Sequence, residues 1–270
     1  MGPLVSGASL FWMSFTLAIS IGLPIGLLVT LHLRRGINAM ALFVGALTFV
    51  ISQMVVRIPL LELLSGTAPY QSIAAVPLVF LLFLSLSAGL FEEVGRYLGF
   101  RYFLAESWSW RDGVAFGIGH GGIEAFLLVG LPYINNLAYS LMINAGTFLE
   151  TVGYGLPGEA AEMIQDQLIS LPPGIFAAAG LERMFTIALH IGLSLMVLLA
   201  LVEGRPRYFV LAILLHAGVN FGAGGLASLP ISIWFSEVFL GLMAAGAVWF
   251  IFAVESRLPP GNDTFRALNS

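Results

Sequence analysis

Mainly apolar stretches of about twenty or more residues alternate with short polar connections along almost the whole chain. A helix needs about 20 apolar residues to cross the hydrocarbon core of a bilayer, so each stretch predicts one membrane-spanning helix. Prolines at 77, 172 and 173 stand where such helices would begin, a position that tolerates proline. The seven predicted spans cover residues 8–32, 38–62, 76–103, 112–131, 174–202, 208–227 and 230–254. The pattern therefore predicts an all-α, polytopic transmembrane helix bundle.

Two segments between the fourth and fifth predicted spans are less regular. Residues 132–146 are apolar enough to form a short eighth helix, which we expect to be re-entrant or interfacial. Residues 157–170 are more polar and predict a surface loop or an interfacial helix. No change of composition marks a second soluble domain. We therefore expect one transmembrane domain over residues 1–258 and a short cytoplasmic tail over residues 259–270.

Arginines occupy every second loop. They stand at the ends of the predicted spans or between them at 34, 35, 101, 111, 205 and 207, and after the last span at 257 and 266. The alternate loops, 63–75, 132–173 and 228–229, contain no Lys or Arg. Because basic loops stay in the cytoplasm, the chain is predicted to be a multi-pass cell-membrane protein with its N-terminus outside and its C-terminus cytoplasmic. A true crossing at 132–146 would break this alternation.

The composition excludes several classes of protein. The chain is 59% hydrophobic and only 10% charged, whereas a soluble domain has roughly 25% charged residues. It has no basic run that would indicate nucleic-acid binding. It also has no cysteine, which excludes disulfides, iron–sulfur clusters, a cysteine nucleophile and cysteine-based zinc sites. Any metal would have to be bound by histidine and carboxylate.

Four clusters of ionisable and polar residues nevertheless lie inside the apolar stretches. Such residues are costly in a membrane, so each is a candidate functional residue. Counted at 1.5 Å per residue from the cytoplasmic ends, the acids and imidazoles lie at similar depths of about 12 to 18 Å. We therefore expect four helices to form one site in the cytoplasmic half of the membrane. The candidates are Glu92, Glu93 and Arg96 on the third predicted span, His120 and Glu124 on the fourth, His190 on the fifth, and His216 and Asn220 on the sixth.

The spacing of small residues favours this convergence. A stripe of small and polar side chains follows three- and four-residue steps along the third predicted span, on one helical face. Its members are Ser85, Ala88, Gly89, Glu92 and Arg96. Glycines at 117, 119, 121 and 122 surround His120, and small residues let transmembrane helices approach closely.

The chemistry of this cluster leaves two alternatives open. Arg96 can balance one carboxylate, so the second glutamate needs another cation, a proton or a metal. A desolvated carboxylate is a candidate general base. His120, His190, His216 and Glu92 could bind Zn²⁺ or another divalent metal, or they could work as acids and bases without one. Glu124 is either a catalytic partner or a residue that orients His120.

A second polar set lies outside the predicted catalytic layer. It comprises Gln53 and Arg57 on the second predicted span and Glu182 and Arg183 on the fifth. We interpret these four residues as a structural polar network between the two spans, with substrate binding as the alternative.

Three motifs in order resemble the CAAX prenyl endopeptidase type II superfamily of membrane-embedded, glutamate-dependent proteases. They are the glutamate pair with Arg96, His120 in a glycine-rich helix with Phe116 four residues earlier, and His216-x-x-x-Asn220. Arg96 stands four residues after Glu92, whereas the superfamily pattern has five. The YhfC branch, whose members are described as intramembrane metalloproteases, is more similar because of Gln53-x-x-x-Arg57-Ile-Pro, Gly119-His120-Gly-Gly-Ile-Glu124-Ala and Glu182-Arg183.

The resemblance implies an intramembrane endopeptidase that hydrolyses a peptide bond of a membrane-associated protein or peptide. By that resemblance Glu92 or Glu93 activates a water and His120 assists, while His216 and Asn220 stabilise the oxyanion and His190 completes the cluster. Two other functions fit the residues. Intramembrane Glu and His residues also build proton relays, so the chain could be a proton- or ion-coupled transporter. It could also be a catalytically inactive immunity or scaffold protein on the same fold.

Overall fold

The computed structural model describes residues 4–105, 107–156 and 159–259, and all regular elements in these ranges are helices. Seven of the helices in the described ranges are long and apolar enough to cross a membrane, which confirms the predicted all-α fold and the number of spans. We call them spans one to seven: Gly7–Arg35, Ala39–Leu64, Pro77–Phe103, Trp110–Ala145, Pro173–Val202, Pro206–Ser228 and Trp234–Ala253.

Shorter helices lie in the connections. They are Ala68–Ala74, Phe148–Val152 and Ala160–Ser170, with 3₁₀ turns at Gly153–Gly155 and Glu255–Arg257. Helix Ala160–Ser170 forms most of the polar segment predicted as a loop or interfacial helix, whose first two residues, 157 and 158, lie outside the described ranges. The predicted tail also lies outside them after residue 259.

Residues 132–146 do not form the separate re-entrant or interfacial helix that we expected. Helix Leu131–Ala145 continues span four through a π-helical segment, Phe126–Gly130. The Leu131 N–H donates to the Phe126 carbonyl across this wider turn. A π turn accommodates Pro132, which has no N–H and would collide with the preceding turn of a regular α-helix. The helix ends instead at Gly146, whose φ of 76° suits glycine at a C-terminal cap.

Two compact units can be distinguished in the chain, and the first comprises residues 1–23 and 125–184. Its core is built from Val5 and Met13, from Tyr133, Ile143, Phe148, Ala161 and Leu168, and from Phe176. Two long-range contacts close this unit. Thr16 Oγ1 donates to the Phe176 carbonyl at 2.5 Å, and Asn144 exchanges hydrogen bonds with the backbone of Val5 at 2.8 and 3.1 Å.

The second unit comprises residues 24–124 and 185–270, and its helices approach each other closely at glycines. A Cβ on Gly119 would collide with the backbone carbonyl of Leu42 on span two. A Cβ on Gly117 would collide with the backbone of Ile191 on span five. Gly89 of span three lies equally close to span six, because its Cβ would be 2.8 Å from the Ile213 carbonyl. Small residues therefore set the spacing of spans two to six in this unit.

The basic connections lie at one end of the second unit. Arg35, the last residue of span one, contacts Glu255 after span seven at 3.2 Å. Arg257 pairs with Glu203, which lies between spans five and six, at 2.5 Å. Trp110, at the start of span four, donates through Nε1 to the Ile251 carbonyl of span seven at 2.7 Å. The loops that carry the arginines in the sequence are thus neighbours in space.

Candidate active site

Span three carries two buried carboxylates and the arginine that lies beside both. Glu92 is 4% exposed, and Glu93 and Arg96 are fully buried. Arg96 Nε is 3.1 Å from the Glu93 carboxylate, and Arg96 Nη2 is 3.4 Å from Glu92 Oε2. All three lie on the buried face of the helix with Ser85, Ala88 and Gly89. One guanidinium therefore faces two carboxylates, which leaves one negative charge to be balanced by other groups.

Glu93 orients His216 of span six. The imidazole Nδ1–H donates to Glu93 Oε1 at 2.7 Å, while Nε2 lies 3.8 Å from Glu92 Oε1, beyond hydrogen-bonding distance. The close packing of span six at Gly89 brings this histidine against span three. The Nδ1–H donation leaves the lone pair of the neutral ring on Nε2, on the side of Glu92.

His120 of span four contacts the other glutamate. Its Nε2–H donates to Glu92 Oε2 at 2.8 Å, and its ring packs against Phe49 with 5.4 Å between ring centroids. In this tautomer Nδ1 carries the lone pair. The Nδ1 atom is buried without a hydrogen-bond partner in the described part of the chain. A buried acceptor without a partner is costly, so this atom is a place where a further ligand would be stabilised.

His190 of span five connects Arg96 with Glu124. Arg96 Nη2 is 2.7 Å from His190 Nδ1, and because a guanidinium only donates, Nδ1 must accept. His190 Nε2–H then donates to Glu124 Oε2 at 2.6 Å. Ser194, one turn later, accepts from Arg96 Nη1 at 2.8 Å. Glu124 of span four therefore pairs with His190 of span five. Its role is not limited to orienting His120, which lies one turn earlier on its own helix.

Four of these residues form a group that could hold a metal ion. One ligand atom from each of Glu92, His120, Glu124 and His190 lies within 4.8 Å of all the others. The group differs in one member from the set predicted from the sequence, since it contains Glu124 in place of His216. His216 Nδ1 is directed at Glu93, as described above.

The remaining predicted residues occupy different surroundings. Asn220 lies one turn beyond His216 on the same helix and is half-buried. Glu182 pairs with Arg183 inside the first unit. Gln53 and Arg57 belong to the second unit, where Gln53 Nε2 donates to Glu92 Oε1. Gln53 is therefore in contact with the site. Its four-residue spacing from Arg57 in the sequence did not indicate this contact.

The sequence is similar to known proteins over most of its length. Residues 19–240 match the sequence profile of the family described as YhfC intramembrane metalloprotease. The chain is also 37% identical over 256 residues to the uncharacterized membrane protein YhfC of Bacillus subtilis (strain 168), with 92% of this chain and 97% of that protein covered. No solved structure matches the chain.

Proposed function

The chain belongs to the YhfC intramembrane metalloprotease family, and on this premise we propose that it is an endopeptidase that cleaves membrane-associated proteins or peptides. The observation that carries the proposal is the group of Glu92, His120, Glu124 and His190, three of them buried and Glu124 partly buried, with the Glu93–His216 pair beside it. A cluster of acids and imidazoles inside a membrane protein is expensive to maintain without a function. We also propose membership of the wider CAAX prenyl endopeptidase type II superfamily, on the motifs described above.

The donor set fits a divalent metal. Two imidazoles and two carboxylates are ligands that Zn²⁺ accepts, and a catalytic zinc site uses three protein ligands and keeps one position open. The lone pair on buried His120 Nδ1 has no hydrogen-bond partner in the described ranges, which suits a site that a cation completes. A bound metal would polarise the scissile carbonyl and lower the pKa of a bound water. Three of the four residues Glu92, His120, Glu124 and His190 would bind it directly, which leaves one position for water.

The Glu93–His216 pair supplies the acid and base chemistry in this proposal. Glu93 holds the imidazole by its Nδ1–H, and Arg96 balances the charge of Glu93 at 3.1 Å. His216 Nε2 is then in the state that accepts a proton from an attacking water and later returns it to the leaving amine. Asn220, one turn away on the same helix, has a carboxamide N–H₂ that can donate to the developing oxyanion.

We further propose that the site opens to the cytoplasmic half of the membrane. The arginine-rich connections lie together at one end of the second unit, joined by the Arg35–Glu255 and Arg257–Glu203 pairs. Basic connections stay on the cytoplasmic side, which supports an external N-terminus and a cytoplasmic C-terminus. Measuring the accessibility of single cysteines introduced at residues 66 and 204 to an impermeant thiol reagent would test this orientation, because the chain has no cysteine of its own.

The activity can be tested in reconstituted vesicles. Wild type, Glu92→Gln, Glu93→Gln and His216→Ala are assayed for cleavage of a panel of fluorescent membrane peptides and, in parallel, for ion flux. Glu62→Gln is the matched control, because Glu62 is exposed and lies outside the cluster. We expect cleavage by wild type and the control and at least a hundredfold loss in the three variants, in the range that general acid–base groups contribute. Ion flux that the variants abolish, without cleavage of any peptide, would support a transporter instead.

A further inference from the structure

Gln53 and Arg57 form a hydrogen-bonded chain that ends on Glu92. Arg57 Nε donates to Ser87 Oγ at 3.0 Å and Nη2 donates to the Leu84 carbonyl at 2.7 Å, so span three anchors the guanidinium. Arg57 Nη1 donates to Gln53 Oε1 at 2.9 Å, and Gln53 Nε2 donates to Glu92 Oε1. Gln53 is 5% exposed. This series of hydrogen bonds therefore starts on span three, passes through span two and returns to span three.

The direction of these hydrogen bonds is determined by chemistry. A guanidinium has only donors, so Gln53 must turn its carbonyl oxygen to Arg57. Its N–H₂ group must then face Glu92, and a carboxylate can only accept. Without Arg57 the carboxamide could rotate by a half turn and present its oxygen to Glu92, where two acceptors would repel each other.

The Gln53 contact also gives the two carboxylate oxygens of Glu92 different partners. Glu92 Oε1 accepts from Gln53, whereas Oε2 accepts from His120 at 2.8 Å and lies 3.4 Å from Arg96 Nη2. A carboxylate held at Oε1 cannot exchange its oxygens by rotation. Oε2 is therefore kept on the side of His120, the histidine that belongs with Glu92 to the four-residue group.

Both residues lie in an irregular part of span two. The segment Val50–Arg57 is π-helical, and the Ile58 N–H donates to the Gln53 carbonyl across the wider turn. Single π turns inside α-helices occur often at functional sites, where they change the direction of a side chain. The irregular turn thus coincides with the residue that reaches Glu92.

We propose that Gln53, held by Arg57, is a positioning residue that fixes which oxygen of Glu92 faces His120. This inference rests on the proposed function, because Glu92 is assigned there to the hydrolytic site. Residues that orient a metal ligand through its second oxygen or nitrogen typically change metal affinity or activity by roughly 10- to 100-fold when they are removed. A role in folding alone would instead lower stability without a specific effect on Glu92.

The test compares two variants. Gln53→Met keeps the length of the side chain but loses its hydrogen bonds to Arg57 and Glu92. Arg57→Lys keeps the positive charge but loses the branched guanidinium that donates to Gln53 and to span three. Ser52→Ala is the matched control, because Ser52 is a buried neighbour in the same π-helical segment and donates to the Phe49 carbonyl, away from Glu92. We expect kcat for peptide cleavage to fall roughly 10- to 100-fold in Gln53→Met, with KM within about twofold of wild type. The control should keep both constants.

Infrared spectroscopy provides a readout that does not depend on cleavage. Subtracting the spectrum of Glu92→Gln from that of wild type isolates the carboxylate bands of Glu92. These bands should shift in Gln53→Met and, by a smaller amount, in Arg57→Lys, and they should stay unchanged in Ser52→Ala. If wild type cleaves no peptide but the bands shift, the proposed function fails and the positioning role stands. Unshifted bands in both Gln53→Met and Arg57→Lys would overturn the positioning role. Should Gln53→Met not fold, the bands of Arg57→Lys provide the test.

Discussion

Replacing Arg96 by methionine tests whether this side chain balances the charge of the buried carboxylates. Arg96 has no exposed surface, and its guanidinium contacts Glu92, Glu93, His190 and Ser194 at 2.7 to 3.4 Å. Methionine fills a similar volume without a charge, so the variant would leave two acids buried without their cation. Removing one partner of a buried ion pair costs about 3–5 kcal/mol. At about 1.4 kcal/mol per factor of ten, the unfolding equilibrium should shift roughly 150- to 4,000-fold.

The control is the equivalent change at an exposed pair. Arg35 contacts Glu255 at 3.2 Å, and the two side chains are 48% and 42% exposed. Exposed pairs contribute about 0–1 kcal/mol, so Arg35→Met should be nearly neutral. The free energy of unfolding of both variants is measured by titrating sodium dodecyl sulfate into detergent micelles and following helix content by circular dichroism.

A second substitution separates charge from packing. If the cost in Arg96→Met comes from unbalanced carboxylates, then Glu93→Gln in the same chain should recover about 1–3 kcal/mol, because coupled neighbours are not additive. A loss no larger than that of Arg35→Met, or no recovery in the double variant, would refute the reasoning that Arg96 balances this pair.

Three further predictions concern packing, ligand binding and chemistry. Gly119→Ala should destabilise the protein by about 1–3 kcal/mol because its Cβ would meet a backbone carbonyl of span two. In contrast, Gly218→Ala, which has no atom within 4 Å of the new Cβ, should be neutral or stabilise by up to about 1 kcal/mol; equal transition temperatures would contradict this difference. Glu124→Gln should weaken zinc binding roughly 10- to 100-fold in a competition titration with a chromophoric chelator, whereas Glu62→Gln should not. His216→Ala should lower kcat by roughly 10²- to 10⁴-fold while it keeps the bound metal, and loss of the metal would show that His216 is a ligand.

The apolar pattern was sufficient to predict the seven spans, because the length and hydropathy of a membrane helix are constrained by the bilayer itself. The glycines around His120 also predicted close packing, and Gly117 and Gly119 indeed lie against the backbones of neighbouring helices. We expected residues 132–146 to form a separate re-entrant or interfacial helix because a crossing there would break the alternation of basic loops, but the helix continues through Pro132. The π segment before it lets span four continue through the proline.

Pairing between helices was harder to predict. Glu124 lies one turn from His120, and the sequence left open whether it is a catalytic partner or orients His120. In the structure its carboxylate contacts His190 on another helix. His216 was one of the possible metal ligands, and in the structure its Nδ1 donates to Glu93. Helical spacing tells which side chains share a face. It does not determine how far each helix is rotated about its axis, and that rotation selects the partner on the facing helix.

The most direct test of the central claim is the metal content of the purified protein. Inductively coupled plasma mass spectrometry gives the ratio of divalent metal to chain for wild type, for Glu92→Gln with Glu124→Gln, and for the exposed control Glu62→Gln. The account predicts about one ion per chain in wild type and the control, near-complete loss in the double variant, and cleavage that disappears with a chelator and returns with zinc. Wild-type protein that carries no metal and still cleaves peptides in the presence of chelator would contradict it.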